Sequence, residues 1–420
     1  MNSPKYRIEN IAKIFFLLGV FAVPISTALM NTFTVLMFLS FSIAFAINGQ
    51  LRQAVRFAPA VFAVSLFALF GIGMVWSITP FPEELWSPIW KYSKLLLIPI
   101  GIALVLRDDF FAKKVLLAFI AGIAFSTFCT YLAWQELMPT SSQNWWTVGV
   151  PENPTVFKNY ITFGVLAGFA GLICFSYAAY ALSIRKRILS IAFGIFFLVP
   201  IVFLTPGRTG YVVIFIGMIA LIGLRARNSW KMMVFGAAAV IIAFAGIFAV
   251  SDNMRQRVNL VIYEAQMSPE ARSKTSTGIR FEFFRGGLEL IAENPILGIG
   301  TGSFSEGFAA KAKQIWAPGS YFYNARHQPH SEVILIGTQL GVTGLFLYFC
   351  LLGSLVWGGL KSKTFEGDVL IILVAVFATG SIFNSFLWDT TEGHWFTLLA
   401  GCLFGYARKN RINNFQFNKA

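Results

Sequence analysis

Charged side chains are scarce in this sequence. Asp, Glu, Lys and Arg make up 12% of its 420 residues, against about 25% in a soluble domain. That shortage excludes an ordinary water-exposed surface. Only three histidines are present, His327, His330 and His394, and their spacing does not make a metal cage. The four cysteines, Cys129, Cys174, Cys350 and Cys402, lack disulfide or zinc spacing. All four fall in apolar runs and read as small buried hydrophobes. No Pro/Gly/Ser-rich linker and no solenoid-type repeat is visible. No small-residue cleavage site follows the first apolar run, so that run reads as a retained helix rather than a signal peptide.

What the chain does have is apolar length. Hydrophobic residues make up 56% of it, in runs of about 20, long enough to cross a hydrocarbon core of about 30 Å. Forty-five Phe and 11 Trp suit lipid-facing walls and interfacial belts. Water would leave that surface with no cover. The expected fold class is an all-α integral membrane protein with about 12 transmembrane helices, a single polytopic domain over residues 1–420. The spans are expected near 11–30, 32–48, 57–76, 89–106, 112–134, 158–182, 188–204, 209–224, 231–250, 331–357, 368–387 and 394–407. The first two are separated by almost nothing and read as a tight hairpin.

The net charge of +14 invites a nucleic-acid reading. Its placement argues otherwise. With the N-terminus inside, the alternate loops collect Lys5 and Arg7; Arg52 and Arg56; Arg107, Lys113 and Lys114; Arg185, Lys186 and Arg187; Arg225, Arg227 and Lys231; Lys361 and Lys363; and Arg408, Lys409 and Arg411. The short outer loops carry Glu83, Glu84, Glu136, Glu152, Asp389 and Glu392 instead. This is positive-inside patterning, and the excess charge reads as a topology signal in contact with anionic headgroups, with membrane lipids as partners and no nucleic acid. One outer loop is long: residues 251–330 are polar and helix-capable. They read as a helical lid between spans 9 and 10, folded onto the bundle.

Several outer-side residues suit chemistry. Arg208 lies in Thr205-Pro206-Gly207-Arg208-Thr209-Gly210, at a span mouth where positive-inside bias disfavours it. An ionisable residue there is a functional candidate; the plainer reading is an arginine snorkelling to headgroups. Arg280 and Arg285 lie on a segment whose Ile279, Phe283, Leu288 and Ile291 fall roughly on one helical face. That helix is expected in the outer interface, its arginines either functional or solvated. Gly298-Ile299-Gly300-Thr301-Gly302 has a loose likeness to nucleotide-binding loops, but no strand precedes it. It reads as a tight reversal, or as a backbone nest for an anion.

His330 stands where the long loop re-enters the membrane. A neutral histidine is a plausible general base; a lone histidine is more often structural. Gly337 and Gly341 form a small-xxx-small pair, expected to share a helix face with His330 and hold it by close packing. Glu83, Glu84, Asp389 and Glu392 read mainly as surface acids. Lys91, Lys94 and Lys158 are placed on the outer side, for phosphate contact or headgroup anchoring.

These residues resemble the O-antigen ligase and polymerase superfamily. Its motif is His followed by Asn, Ser or Gln, nine residues, Gly, two residues, then Gly, Thr or Tyr. The chain has His330-Ser331, nine residues from Glu332 to Leu340, then Gly341-Val342-Thr343-Gly344. The family's arginine, aromatic helix, Asn-Pro and glycine turn match Arg280, Phe283-Phe284, Asn294-Pro295 and Gly298 to Gly302, and its other outer arginine matches Arg208.

The resemblance implies an inverting glycosyltransferase of the bacterial inner membrane with its active site facing the periplasm. Its donor would be a glycan on undecaprenyl diphosphate and its acceptor a sugar hydroxyl of lipid A-core. His330 is then the catalytic base, and Arg208 and Arg280 bind the diphosphate. Arg285, Lys94, Lys158 and Asp389 are secondary candidates, with no cofactor and no metal expected. An O-antigen polymerase is the nearest alternative, and a protein O-oligosaccharyltransferase fits less well because such enzymes generally carry more chain after the last spans. A transporter is the alternative of another class, but transporters tend to place ionisable residues at the midplane.

Overall fold

A helix satisfies every backbone group within one segment, which a lipid environment demands. The computed structural model describes all residues except 1–3, 49–50, 107, 109, 139–152, 227, 268–270, 272–273, 316–327 and 418–420. Arg107, Glu152, Arg227 and His327 therefore lie outside the described residues, as do the side chains of Lys5, Arg7 and Arg411. Among the described residues the elements are helices and no strand forms. Nine helices are long and apolar enough to cross a membrane among those residues.

Helix α1 (Pro4–Ala22) and helix α2 (Thr27–Asn48) form the expected hairpin. Their break falls earlier than expected from the apolar run. Pro24 cannot continue the helix, and Ser26 Oγ accepts from Leu29 N–H at 3.3 Å. The turn helix α3 (Leu51–Ala54) leads to α4 (Ala58–Ile72), which continues through a 3-10 turn to Trp76. The expected span at 89–106 begins earlier: α5 (Pro82–Tyr92), a 3-10 turn and α6 (Leu97–Val105) form one apolar run. Next come α7 (Phe111–Trp134), α8 (Tyr160–Tyr180), α9 (Ile184–Val199, ending in a π turn to Leu204), α10 (Arg208–Ala226) and α11 (Trp230–Val250). Only 6% of the α11 span window is buried inside the protein, so its apolar wall faces outward, as a lipid-facing helix requires.

Residues 251–330 are helical over α12 (Asp252–Gln266), α13 (Ser276–Glu293) and α14 (Phe304–Ile315). Polar caps start the first two: Ser251 Oγ accepts from Met254 N–H at 3.2 Å, and Thr275 Oγ1 from Gly278 N–H at 3.1 Å. The bundle is completed by α15 (Glu332–Ser362), α16 (Phe365–Phe383) and α17 (Thr390–Phe417).

Helix α13 departs from the interfacial expectation. Phe283, with Ile279 and Ile291 beside it, packs on Phe304, Phe308, Ile334 and Leu335. Leu288 does not join that face. It is exposed with Phe281 and Phe284, a second apolar stripe at helical spacing. One face therefore fastens the helix to the bundle, and the other is exposed.

Helix α15 is not continuous. Gly341 has φ 61° and ψ −158°, which breaks it into two parts. The opened turn receives the Asn-Pro and glycine segment. Val342 N–H donates to the Pro295 carbonyl at 2.7 Å, and Ile299 and Gly300 N–H donate to the carbonyls of Thr338 and Gln339, each at 2.9 Å. A Cβ on Gly341 would lie 2.4 Å from the Ile296 carbonyl, and one on Gly300 would lie 2.3 Å from Ser77 Cα. Only glycine fits at either point. His330 precedes the Ser331 cap with φ 51°, so it does not share a helix face with Gly337 and Gly341; Gly337 packs toward Ile291.

Candidate active site

His330 stands at the lip of the first α15 half-helix, with φ 51°. A left-handed backbone on a non-glycine residue is uncommon and marks an over-determined position. The surroundings supply that determination. Pro329 precedes His330, Ser331 caps α15 with Oγ toward Ile334 N–H at 3.5 Å, and Glu332 is fully buried. Glu332 Oε1 accepts from Tyr92 Oη at 2.6 Å, and its Oε2 accepts from Leu387 and Trp388 N–H at 2.8 and 3.0 Å. The carboxylate thus pins the start of α15 to α5 and to the turn between α16 and α17.

That turn, residues 384–389, ties several candidates together. At one end Asn384 Nδ2 donates to Thr209 Oγ1 at 3.4 Å, beside Arg208. At the other end Lys94 Nζ donates to the Asp389 carbonyl at 2.8 Å and Lys91 Nζ to Thr390 Oγ1 at 3.4 Å. Burial raises the Asp389 carboxyl above its usual range, against a Gln328 hydrogen bond and the charges of Lys94 and Lys91. Gln328 precedes His330 by two residues, so Asp389 is a close neighbour of the histidine's own segment.

Arg208 opens α10, after the Thr205-Pro206-Gly207 break. Its Nη1 donates to Thr277 Oγ1 at 3.0 Å and lies 3.8 Å from Glu264 Oε2. Arg280 is one helical turn beyond Thr277 on α13. Burial lowers its pKa from the usual value; Tyr160 opposes that shift and the positive charge of Arg208 adds to it. The two guanidinium groups are therefore electrostatic neighbours. Both charges favour an anion beside them, and Glu264 supplies one carboxylate, near Arg208. Helix α13 carries Arg280 on the same turns that pack, through Phe283, against Ile334 and Leu335 just after His330.

The other candidates are placed differently. Arg285 is exposed and pairs with Glu289 at 3.2 Å on its own helix, away from Arg208. Lys94 and Lys158 are 3% and 8% exposed, which overturns the headgroup-anchor reading. Lys158 Nζ donates to Thr27 Oγ1 at 2.6 Å and Thr391 Oγ1 at 3.1 Å. Glu392 is buried and accepts from Thr162 Oγ1, so it is not the surface acid expected. Glu83 and Glu84 line a cavity of about 350 Å³ with Gln328, Gln339 and Trp388.

The glycine loop is not an anion nest. Its donors are spent inside the protein: Thr301 N–H reaches the Gly73 carbonyl at 3.0 Å and Gly302 N–H reaches Gln339 Oε1 at 2.6 Å, in addition to Ile299 and Gly300. It is a splice that locks the α15 break to α4. Among the described residues, no group of three or more His, Cys, Asp or Glu is arranged to hold a metal ion.

Residues 193–349 match the O-antigen ligase family. The matched segment contains Arg208, Arg280 and His330, the broken helix and the glycine splice. The resemblance read from the His330 motif thus holds over that segment, and the match indicates a glycosyltransferase of the O-antigen ligase and polymerase type in a multi-pass membrane protein. A search of curated proteins finds no match.

Sequence reasoning did not foresee Glu264, Thr277 or Tyr160 beside Arg208 and Arg280. Nothing in the spacing of three separate helices announces that meeting. Glu332 carried a usable signal, an acid in the first turn of a span, where a charge needs a partner.

Proposed function

We propose that the chain is an inverting glycosyltransferase that moves O-antigen polysaccharide from undecaprenyl diphosphate to a sugar hydroxyl of lipid A-core. The carrying observation is that Arg208 bonds to Thr277, one helical turn from Arg280 on α13, that α13 packs against the start of the His330 helix, and that the Arg208 helix is tied to the turn that holds Glu332. In this reading about twelve helices span the bacterial inner membrane, and residues 251–330 form a periplasmic lid over the site.

The chemistry is a single displacement. His330 takes the proton from the acceptor hydroxyl. The freed oxygen bonds to the anomeric carbon as the bond to the diphosphate oxygen breaks on the opposite face. The configuration inverts, and the electron pair leaves on the diphosphate. Arg208 and Arg280 offer forked, permanently charged donors to that growing negative charge. Glu264 is then the stand-in anion that the diphosphate displaces from Arg208. Asp389 and Lys94 support the turn beside His330 rather than touch the donor. No metal or cofactor is assigned a role.

Reconstitution in vesicles with lipid-linked glycan and two alternative acceptors tests the reading. Transfer to lipid A-core supports the ligase. Transfer only to a second lipid-linked glycan would make the chain a polymerase, and passage of glycan across the bilayer without bond formation would make it a transporter.

A further inference from the structure

Far from His330, three cations surround one pocket without a carboxylate among them. The pocket, about 240 Å³, is lined by Arg56, Phe57, Trp357, Lys361, Phe404 and Arg408 among others, and no Asp or Glu is part of its wall among the described residues. Lys361 Nζ lies 4.5 Å from the Trp357 ring centre and the Arg408 guanidinium carbon 5.9 Å from that of Phe57. Arg408 Nε is buried and has no hydrogen-bond partner. Asp368, in the first turn of α16, is engaged by Arg225 at 2.9 Å and Tyr180 at 2.8 Å.

The position of the pocket follows from the helices that build it. Arg56 precedes α4, whose far end at Phe70 meets Thr301 of the glycine splice. Lys361 is in the last turn of α15, which begins beside His330. Arg408 is 18 residues beyond Thr390 at the start of α17, a rise of about 27 Å. That is close to the hydrocarbon thickness of about 30 Å, so the pocket lies at the opposite headgroup level.

Three like charges repel one another, and a buried guanidinium N–H without an acceptor is costly. An anion in the pocket would answer both. The aromatic and aliphatic wall of Phe57, Trp357 and Phe404 suits an anion that carries hydrocarbon. We propose that Arg56, Lys361 and Arg408 bind the phosphate of an anionic phospholipid in the leaflet opposite His330. The bound headgroup links the α3–α4 connection, α15 and α17 at the end remote from the chemistry, where basic pockets between spans meet anionic lipid.

The test uses the full-length protein, delipidated in detergent and titrated with phosphatidylglycerol, with phosphatidylcholine, or with inorganic phosphate. Retained lipid is read by native mass spectrometry and stability by thermal unfolding. Phosphatidylglycerol is expected to bind roughly tenfold or more tightly than phosphatidylcholine and to raise the unfolding temperature. The combined Arg56→Gln, Lys361→Gln and Arg408→Gln variant should lose that preference. If that variant does not fold, the exposed positions decide: Arg56→Gln and Lys361→Gln should each weaken the preference by themselves. Equal binding of the two lipids by the unaltered protein, or an undiminished preference in the variants, overturns the proposal. Full protection by inorganic phosphate at millimolar concentration would assign the pocket to a free anion and overturn it as well.

Discussion

Arg208 lies 3.8 Å from the Glu264 carboxylate, and Glu264 Oε2 is buried with no hydrogen bond of its own. The pair is a charge contact without directional bonds, which a better anion can displace. Arg208→Lys keeps the charge but loses the fork. Transfer is expected to fall about 10–100-fold, or about 1–3 kcal/mol of transition-state stabilisation. Arg280→Lys should behave alike. Arg285→Lys should be mild, because Arg285 is exposed and paired with Glu289. Initial rates at varied donor concentration decide this, and silence of both primary substitutions would move the diphosphate elsewhere.

His330 is tested best by asparagine. Its backbone has φ 51°, which asparagine tolerates better than most residues. His330→Asn should stay folded, keep donor binding through the arginines, and lose transfer by roughly 10²–10⁴-fold. Near-normal transfer by folded His330→Asn would end the assignment of the base, and Asp389 would be the next group to test.

Glu332 has a different prediction, because it is a clamp. Glu332→Ala removes the acceptor for Tyr92 Oη and for two backbone N–H groups. A loss of about 2–5 kcal/mol of stability is expected from stranding those donors. Thermal unfolding in detergent measures it. A stable but inactive variant would instead give Glu332 a part in the chemistry.

The Asp389 carboxyl is raised above its usual value of 3.8, first by burial. The folded chain therefore keeps this proton after the unfolded chain has lost it. Its contribution to stability falls as pH climbs from about 3.8 through the raised value. Asp389→Asn cannot titrate and should lack that slope. Unfolding temperatures of both proteins across the acid range show it; parallel curves would refute it.

Transfer should continue in excess chelator, since the reading above gives every charge in the reaction to His330, Arg208 and Arg280. Activity lost with EDTA and restored by magnesium or manganese would return attention to Glu83, Glu84 and Asp389.

Much of the molecule was legible in the chain itself. A span must be apolar along its whole length, so composition alone reveals α4, α7, α8, α10, α11 and α16 to within a few residues. The His330-to-Gly341 spacing also proved meaningful, though not for the reason first read from it. It measures a half-helix from a capped start to a break, not a continuous face. The hairpin end at Pro24 was misplaced because the apolar run continues through it. The lysines and Glu392 were misread because a charge in an outer loop looks the same in sequence whether it faces water or a buried threonine.

The sequence by itself determined the helical membrane architecture and the family motif, because these depend on residue type and local spacing. The tertiary structure alone decided that Glu264 sits against Arg208, that the glycine loop spends its donors on α15 and on Gly73 after α4, and that residues 384–389 join the Arg208 and His330 helices. Those contacts connect segments far apart in the chain. They follow from which distant polar groups the packed helices bring together, and no local pattern encodes which distant partner that will be.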